Sequence, residues 1–368
     1  MKIINKIIQG VLLVAVIVLS VAIIGYTKTG VGITYDGKSA VLSLEGHTTT
    51  YEIKEAAKVT KTRSFEHKRY DTYYELTDNE KVVYDAVLTQ SINLLENQKW
   101  NNEIIIGFEK ILVELDGDET YVEAKEKVSE TIGNIDFKKI YYSLTQDYGY
   151  YMWWSASMDW EIWEPEMHIK DGDISETTFK ITVHSTYENG DGNIDTLRLE
   201  DAVKAFENAK KLVSSVSELD TMSKLKEFKN YIINNADYNE EIASNPTRTD
   251  LESYYSRSFI SVLDEKNNTT SICSGYTETF KLLCDLAGIE CYKESGEMYY
   301  ESSELHAWNK VYIDDVAYIV DMTNSDTETL GQDGQLFMKK VDGTDYNVYI
   351  SNLYYANYKE YSLEEISK

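Results

Sequence analysis

The chain has 368 residues, and its 36 Lys and Arg against 63 Asp and Glu give a formal net charge of −27 at pH 7. So large an excess of negative charge repels a phosphate backbone, which argues against nucleic acid as a partner. Hydrophobic residues make up 42% of the chain, which is typical of a folded protein with an acidic, soluble surface. Three cysteines in a chain of this length do not form a disulfide framework.

The first 28 residues are predicted to form a membrane anchor. After Lys2 and Lys6, the stretch 7–26 is almost entirely apolar, and as a helix it would be about 30 Å long, enough to span a bilayer. The basic residues before it predict a single-pass protein with its N-terminus inside and the remaining chain extracytoplasmic. A cleaved signal peptide is the alternative, although the sequence around Ser20 offers a poor cleavage site.

The next segment, residues 29–75, is expected to be β-rich because short runs typical of strands recur between about 31 and 60. Residues 76–195 are predicted to form an α+β accessory domain. Thr77 and Glu80 form a capping box that opens an amphipathic helix extending to about Asn97. A second helix is predicted from Tyr121 to Ile132, followed by strands over Tyr148–Trp163 and Thr178–Tyr187.

Two motifs in the accessory region have a functional and a structural interpretation. The aromatic residues between Tyr148 and Trp163 could stack on sugars or peptides, but packing within a sheet is the favoured interpretation. The run Asp191–Asp195 resembles the start of a calcium loop but lacks its later glycine and glutamate, so a plain turn is favoured. The histidines show no metal-ligand spacing, and neither a metal nor a cofactor is predicted.

Residues 196–368 are predicted to be the catalytic domain, beginning with helices Glu200–Ser215 and Met222–Asn235. Cys273 opens a further amphipathic helix that is expected to stop at Gly288. At a helix N-terminus the free N–H groups and the dipole stabilise a thiolate, so Cys273 is a candidate nucleophile.

A hairpin downstream carries a candidate base and the residue that orients it. If Asp314 and Asp315 form a two-residue turn, Ile313 pairs with Val316, and the register makes His306 the diagonal neighbour of Asp321 on one sheet face. A carboxylate there could hold one ring nitrogen of the imidazole and leave the other to take the proton from Cys273. Each of these residues alone is more often structural, but their conjunction favours a catalytic site.

The residues of this region resemble the transglutaminase-like superfamily of papain-fold thiol enzymes. The resemblance rests on Cys273, Gly275, Tyr276, Phe280, Leu283, Gly288-Ile289, His306-Ala307-Trp308-Asn309, Tyr318, Asp321 and Thr323. It covers 273–326 closely, and the helix Lys224–Asn235 with Tyr238 more loosely. It implies an α+β fold in which a helix bearing the cysteine packs on an antiparallel sheet bearing the histidine and the aspartate, and a triad of Cys273, His306 and Asp321.

The resemblance also implies a second oxyanion donor upstream of the cysteine, which the sequence does not identify. Trp308 and Tyr276 are candidate substrate-binding residues. Cys284 and Cys291 could form a disulfide, but two buried free thiols are the favoured interpretation.

Two function classes are open. The first is a membrane-anchored, extracytoplasmic cysteine peptidase, amidase or transglutaminase that acts on a peptide or protein substrate, which could belong to the cell wall. The second is a non-catalytic surface module that uses the same fold to bind peptide, cell wall or a protein partner. A lost nucleophile or base is the usual mark of the second class, and all three triad residues are present.

Overall fold

The structure is a computed structural model, and it describes residues 31–35, 39–44, 47–52, 58–59, 68–108, 121–170, 173–189, 192–264, 270–300, 303–326, 336–349 and 355–368. The chain divides into two compact units, residues 1–56 and 57–368. The anchor predicted at residues 7–26 lies outside the described residues. Among the residues that are described, no helix has the length and apolar character needed to cross a membrane.

The described helices are α1 Asp78–Asn97, α2 Tyr121–Gly133, α3 Phe137–Tyr148, α4 Thr196–Ser215, α5 Thr221–Asn235, α6 Glu240–Ala243, α7 Leu251–Ser256, α8 Ile260–Leu263, α9 Cys273–Leu286, α10 Met322–Asp326 and α11 Leu363–Ile366. The described strands are β1 Val31–Tyr35, β2 Ser39–Leu44, β3 His47–Glu52, β4 Lys58–Val59, β5 Glu103–Phe108, β6 Trp160–Ile162, β7 Glu166–Lys170, β8 Asp173–Val183, β9 Cys291–Tyr299, β10 Ser303–Ile313, β11 Val316–Val320, β12 Phe337–Lys340, β13 Asp345–Tyr349 and β14 Tyr355–Glu360. A short 3₁₀ helix covers Thr72–Glu75.

In the first unit, β1, β2 and β3 form an antiparallel meander in that order. In the second unit, one sheet has the order β4-β5-β8-β6 with β7 also paired to β8, and a six-stranded antiparallel sheet has the order β12-β11-β10-β9-β14-β13. Helices and mainly antiparallel sheets therefore occur together, which confirms the α+β class.

The helix that opens the second unit's core begins as predicted. The Thr77 side chain accepts a hydrogen bond from the Glu80 N–H at 3.3 Å, and the Glu80 carboxylate accepts one from the Thr77 N–H at 2.8 Å. This reciprocal cap fixes the start of α1.

The strand predicted over Tyr148–Trp163 is wrong for most of its length, because Tyr148 ends helix α3 and the chain then forms turns before the short strand β6. The side chains of Trp153 and Trp154 are nonetheless buried, so these aromatics do pack in the core. Successive turns bury these rings without a regular backbone, so the alternation of aromatic residues in the sequence does not mark a strand here.

The run Asp191–Asp195, for which the sequence favours a plain turn over a calcium loop, is described only from residue 192 onwards. Asp191 lies outside the described residues, while Asp195 caps helix α4 by accepting hydrogen bonds from the N–H groups of Leu197 and Arg198 at 2.9 and 3.2 Å. Because of this cap, α4 begins four residues before the predicted Glu200.

Most of the buried apolar side chains of the second unit belong to one cluster, and a smaller cluster includes Trp308 and Tyr358. The larger cluster includes Val87 of α1, Trp154, Phe206 of α4 and Phe280 of α9. The boundary expected at residue 195 therefore runs through a shared core, and residues 57–368 are a single compact unit.

Candidate active site

Cys273 is the first residue of helix α9, and its side chain is half-buried. The residue before it, Ile272, has no polar side chain and makes no capping hydrogen bond. The N–H groups of the first turn therefore have no side-chain cap, and together with the helix dipole they favour negative charge at this end.

Gly275 allows this first turn to pack closely against the preceding segment. A β-carbon added there would lie 2.5 Å from the Ser256 carbonyl oxygen and 3.0 Å from the Ser261 hydroxyl, and closer still to the Ser271 hydroxyl. Only glycine fits this position, so Gly275 fixes where the helix start, and with it Cys273, sits.

At its other end α9 stops as predicted. Gly288 has a φ of +70°, the Ile289 N–H bonds to the Cys284 carbonyl at 2.9 Å, and the Gly288 N–H bonds to the Asp285 carbonyl at 3.2 Å. This pair of bonds is the Schellman motif that ends many helices.

All three cysteines are free thiols, and Cys284 and Cys291 are buried. This agrees with the favoured interpretation that these two residues do not form a disulfide.

The hairpin that carries the candidate base has the predicted register. Asp314 and Asp315 have φ angles of +51° and +62°, and Ile313 pairs with Val316. Positive φ at both central residues identifies a type I′ turn, and aspartate is one of the few residues that tolerates it. With this register the Nε2 of His306 lies 2.9 Å from the Oδ2 of Asp321.

Asp321 is fully buried and receives several hydrogen bonds besides that of His306. The Tyr358 hydroxyl donates to its Oδ2 at 2.7 Å, the Asn324 side-chain amide donates to the same oxygen at 2.8 Å, and the Asn324 N–H donates to its Oδ1 at 3.0 Å. These donors stabilise the ionised carboxylate and hold it against the imidazole.

The three residues shift each other's ionisation. Burial opposes the charge on each, but the His306 imidazolium and its hydrogen bond hold the pKa of Asp321 below its usual value. Asp321 and the Cys273 thiolate in turn raise the pKa of His306 well above its usual value.

For Cys273, burial again opposes ionisation, yet hydrogen bonds with His306 and the Ala307 N–H lower the pKa of the thiol. The Nε2 of His306 is bonded to Asp321, so its Nδ1 is the nitrogen that faces the thiol. This arrangement favours a thiolate–imidazolium pair.

Trp308 and Tyr276, named from the sequence as candidate substrate contacts, are fully buried. Trp308 stacks on His306 with ring centroids 6.0 Å apart, and the Tyr276 hydroxyl donates to Asp326 at 2.7 Å and to the Ala236 carbonyl at 3.2 Å. Neither side chain is exposed to a substrate; Trp308 packs against the base, and Tyr276 joins α9 to the segments at Ala236 and Asp326.

Tyr238 lies beside the nucleophile. The segment that contains it pairs with Ser271, two residues before Cys273. The Ser271 N–H donates to the Asp237 carbonyl and the Asn239 N–H donates to the Ser271 carbonyl, both at 2.9 Å. Tyr238 is half-buried, and burial together with the charge of Cys273 raises the pKa of its phenol. The hydroxyl has no hydrogen-bond partner among the described residues, so it is a protonated donor with its proton available.

Three contributors to the site escaped the sequence reasoning. Tyr358 follows Asp321 by 37 residues and carries no local signal that links the two. Asn324 could have been found, since an aspartate at the start of a short helix pairs with the residue three positions on. Tyr238 was part of the resemblance but had no role assigned.

One family model matches the part of the chain that contains the three triad residues. The sequence model of the transglutaminase-like superfamily matches residues 210–321. No curated protein matches the chain at the significance required of a homologue.

Solved structures with some likeness include a TGase, at 20% identity over 46% of each chain with a TM-score of 0.31. A candidate cysteine protease of Cytophaga hutchinsonii is 12% identical over 55% of this chain and 86% of its own, with a TM-score of 0.26. A candidate protease of Parabacteroides distasonis is 11% identical over 45% of this chain and 37% of its own, with a TM-score of 0.22.

This chain thus spans about half the length of that TGase. The matched segment 210–321 contains Cys273 and His306 and ends at Asp321. Residues 210–321 therefore carry the sequence pattern of the transglutaminase-like superfamily.

Proposed function

We propose that this protein is a cysteine-dependent acyl-transfer enzyme that acts on amide bonds of a peptide or protein, with Cys273 as nucleophile, His306 as base and Asp321 as the residue that orients the base. The observation that carries the proposal is the 2.9 Å bond between His306 and the buried Asp321, with a thiol of lowered pKa at the uncapped start of α9. The match of residues 210–321 to the transglutaminase-like superfamily supports it.

In the first half-reaction the Cys273 thiolate attacks the amide carbonyl carbon. The negative charge that develops on the carbonyl oxygen is stabilised by the Cys273 N–H at the helix start and by the Tyr238 hydroxyl, whose raised pKa keeps it protonated. The His306 imidazolium donates its proton to the departing amine, and a thioester on Cys273 remains.

In the second half-reaction neutral His306 takes a proton from the acceptor as it attacks the thioester carbonyl carbon. The carbon–sulfur bond then breaks, the acyl group leaves on the acceptor, and the Cys273 thiolate and the His306 imidazolium are restored. Water as acceptor gives a peptidase or amidase, and a lysine amine gives a transglutaminase; the same residues serve both outcomes. Asp321 acts in both halves by holding the imidazole in position and stabilising its charged form.

Membrane anchoring through residues 7–26, with the catalytic unit on the extracytoplasmic side, is part of the proposal. It is supported by the apolar run and the two preceding lysines. Fusion of residues 1–35 to a reporter that is active on only one side of the membrane tests the orientation.

The test of catalysis compares wild type, Cys273→Ala and His306→Ala on a peptide mixture, with and without added amine, by mass spectrometry. We expect products only with wild type. Cys273→Ala should unfold at a denaturant concentration close to that of wild type, whereas His306→Ala should unfold at a lower one, because it leaves the buried Asp321 carboxylate without its cation. Equal product formation by wild type and Cys273→Ala would end the proposal. A non-catalytic module is the second candidate, and it predicts peptide binding that all three proteins share without turnover.

A further inference from the structure

A cavity of about 260 Å³ opens beside the nucleophile helix. Ser274, the neighbour of Cys273 in the chain, and Glu278, one turn further along α9, lie on one side of it. Side chains from the accessory region, among them Tyr142 and Trp153, lie on the other side. The volume is below the range of about 300–1,000 Å³ usual for small-molecule sites, so it suits a single bulky side chain.

Aromatic rings form one wall of the cavity. Trp153 and Tyr187 stack with centroids 5.6 Å apart, and Tyr254 meets Tyr187 edge to face at 6.0 Å. Trp153 is 5% exposed and Tyr187 is 7% exposed, so packing holds these rings in place and the wall they form is rigid.

Two cations, Arg257 and Lys293, and one carboxylate, Glu278, line the cavity. Lys293 lies 3.2 Å from the Glu278 carboxylate, and Arg257 donates to the carbonyls of Ser253 and Pro246 at 2.9 and 3.1 Å. These carbonyls occupy donors of Arg257 but do not neutralise its charge, so a lysine side chain would meet two cations here. The cavity therefore disfavours a cationic side chain.

We propose that this cavity is a specificity pocket for an aromatic side chain, with tyrosine preferred, on a substrate residue that flanks the amide attacked by Cys273. The inference rests on the proposed function and names the substrate class of that site. Rings of the wall make offset and edge-to-face contacts with an aromatic guest. A guest phenol in addition donates to the Glu278 carboxylate, which lines the cavity.

Binding is measured first, on Cys273→Ala protein, so that the result does not depend on turnover. The ligands are the N-acetyl amides of tyrosine, phenylalanine, leucine and lysine, titrated by saturation-transfer NMR. We expect tyrosine to bind about tenfold more tightly than leucine, with phenylalanine between them and lysine weakest.

The cavity variant is Ala156→Trp, because Ala156 is exposed at the rim and a large side chain there closes the entrance without disturbing the core. The matched control is Ser157→Trp, since Ser157 is also exposed but does not line the cavity. Tyrosine amide should bind at least tenfold more weakly to the first variant and unchanged to the second. Equal affinity for the four amides, or the same affinity in both variants, overturns the inference.

Turnover on a peptide mixture then separates this inference from the proposed function. Products formed by the wild type with an aromatic residue enriched beside the reacting amide support both. Products without that enrichment reject the pocket assignment but leave catalysis standing. Selective binding of tyrosine amide with no Cys273-dependent product rejects the enzyme and leaves an aromatic-binding module.

Discussion

Removal of one hydroxyl, in Tyr358→Phe, separates the electrostatic support of Asp321 from the packing around it. The Tyr358 hydroxyl donates to the Asp321 carboxylate at 2.7 Å, while its ring packs edge to face on Trp308 at 5.0 Å. Phenylalanine keeps the ring and deletes only the donor. A hydrogen bond to a buried charged group contributes about 1.5–3 kcal/mol, so a loss of stability of that size is expected in urea denaturation at pH 7.

The same change should make Cys273 less reactive. With one donor lost, the ionised form of Asp321 is less stable, its pKa rises, and it supports the His306 imidazolium less well. Since about 1.4 kcal/mol corresponds to one pKa unit, loss of this bond should raise the pKa of Asp321 by about one to two units. A protonated Asp321 no longer supports the His306 imidazolium, so the pH midpoint for alkylation of Cys273 by iodoacetamide should rise in the same direction. The thiolate would then need a higher pH to form.

The matched control is Tyr346→Phe, because the Tyr346 ring stacks on Tyr358 at 5.6 Å but its hydroxyl does not contact Asp321. This variant should leave the alkylation midpoint of Cys273 where it is in the wild type. If Tyr358→Phe loses stability but keeps the wild-type midpoint, the hydroxyl does not stabilise the ionised triad, and the reasoning is refuted.

Three further changes test other parts of the molecule. Asp321→Asn removes the charge that supports His306, so turnover should fall by roughly two to four orders of magnitude, measured as initial rate on a peptide substrate. Lys310→Met removes a buried cation that lies 3.4 Å from Glu294, and should cost about 3–5 kcal/mol of unfolding free energy in urea at pH 8. Gly275→Ala forces a methyl group into the packed start of α9 and should destabilise the protein by about 1–3 kcal/mol, measured in the same way.

The Lys310 prediction has a pH signature. Burial raises the pKa of Glu294 from 4.5 to about 7, so between these values the native state holds a proton that the unfolded chain releases. Wild-type stability should therefore fall as pH rises through this window. The loss of unfolding free energy caused by Lys310→Met should be smaller at pH 5 than at pH 8. A loss independent of pH would contradict the role of the Glu294 carboxylate.

For Gly275→Ala the control is Gly133→Ala, where a β-carbon meets nothing within 4 Å.

The local parts of the fold were predictable because local chemistry decides them. The capping box at Thr77, the glycine stop at Gly288 and the register of the hairpin around Asp314 each depend on residues close together in the chain. The region after Tyr148 was mispredicted because its aromatic residues are buried by contacts with distant helices, and burial without regular backbone leaves no period in the sequence.

The same distinction separates what could be foreseen of the candidate site from what could not. The pairing of His306 with Asp321 follows from hairpin register and was predicted. The hydrogen bond from Tyr358 to Asp321 depends on β14 lying next to β9 in the sheet. This pairing joins distant segments, and no local sequence pattern predicts it. The wall that the accessory region gives to the cavity beside α9 is likewise a product of tertiary packing.

The energetics of the triad bear on the choice between an enzyme and a binding module. Asp321 and His306 are almost fully buried, and burial of a charged pair costs desolvation that its mutual attraction seldom recovers in full. A fold kept only for binding could place apolar side chains at these positions with little loss of stability. The chain instead surrounds Asp321 with donors from Asn324 and Tyr358 and keeps a thiol of lowered pKa at the helix start. This arrangement stabilises charge where a thiol enzyme uses it, so it favours catalysis over binding alone.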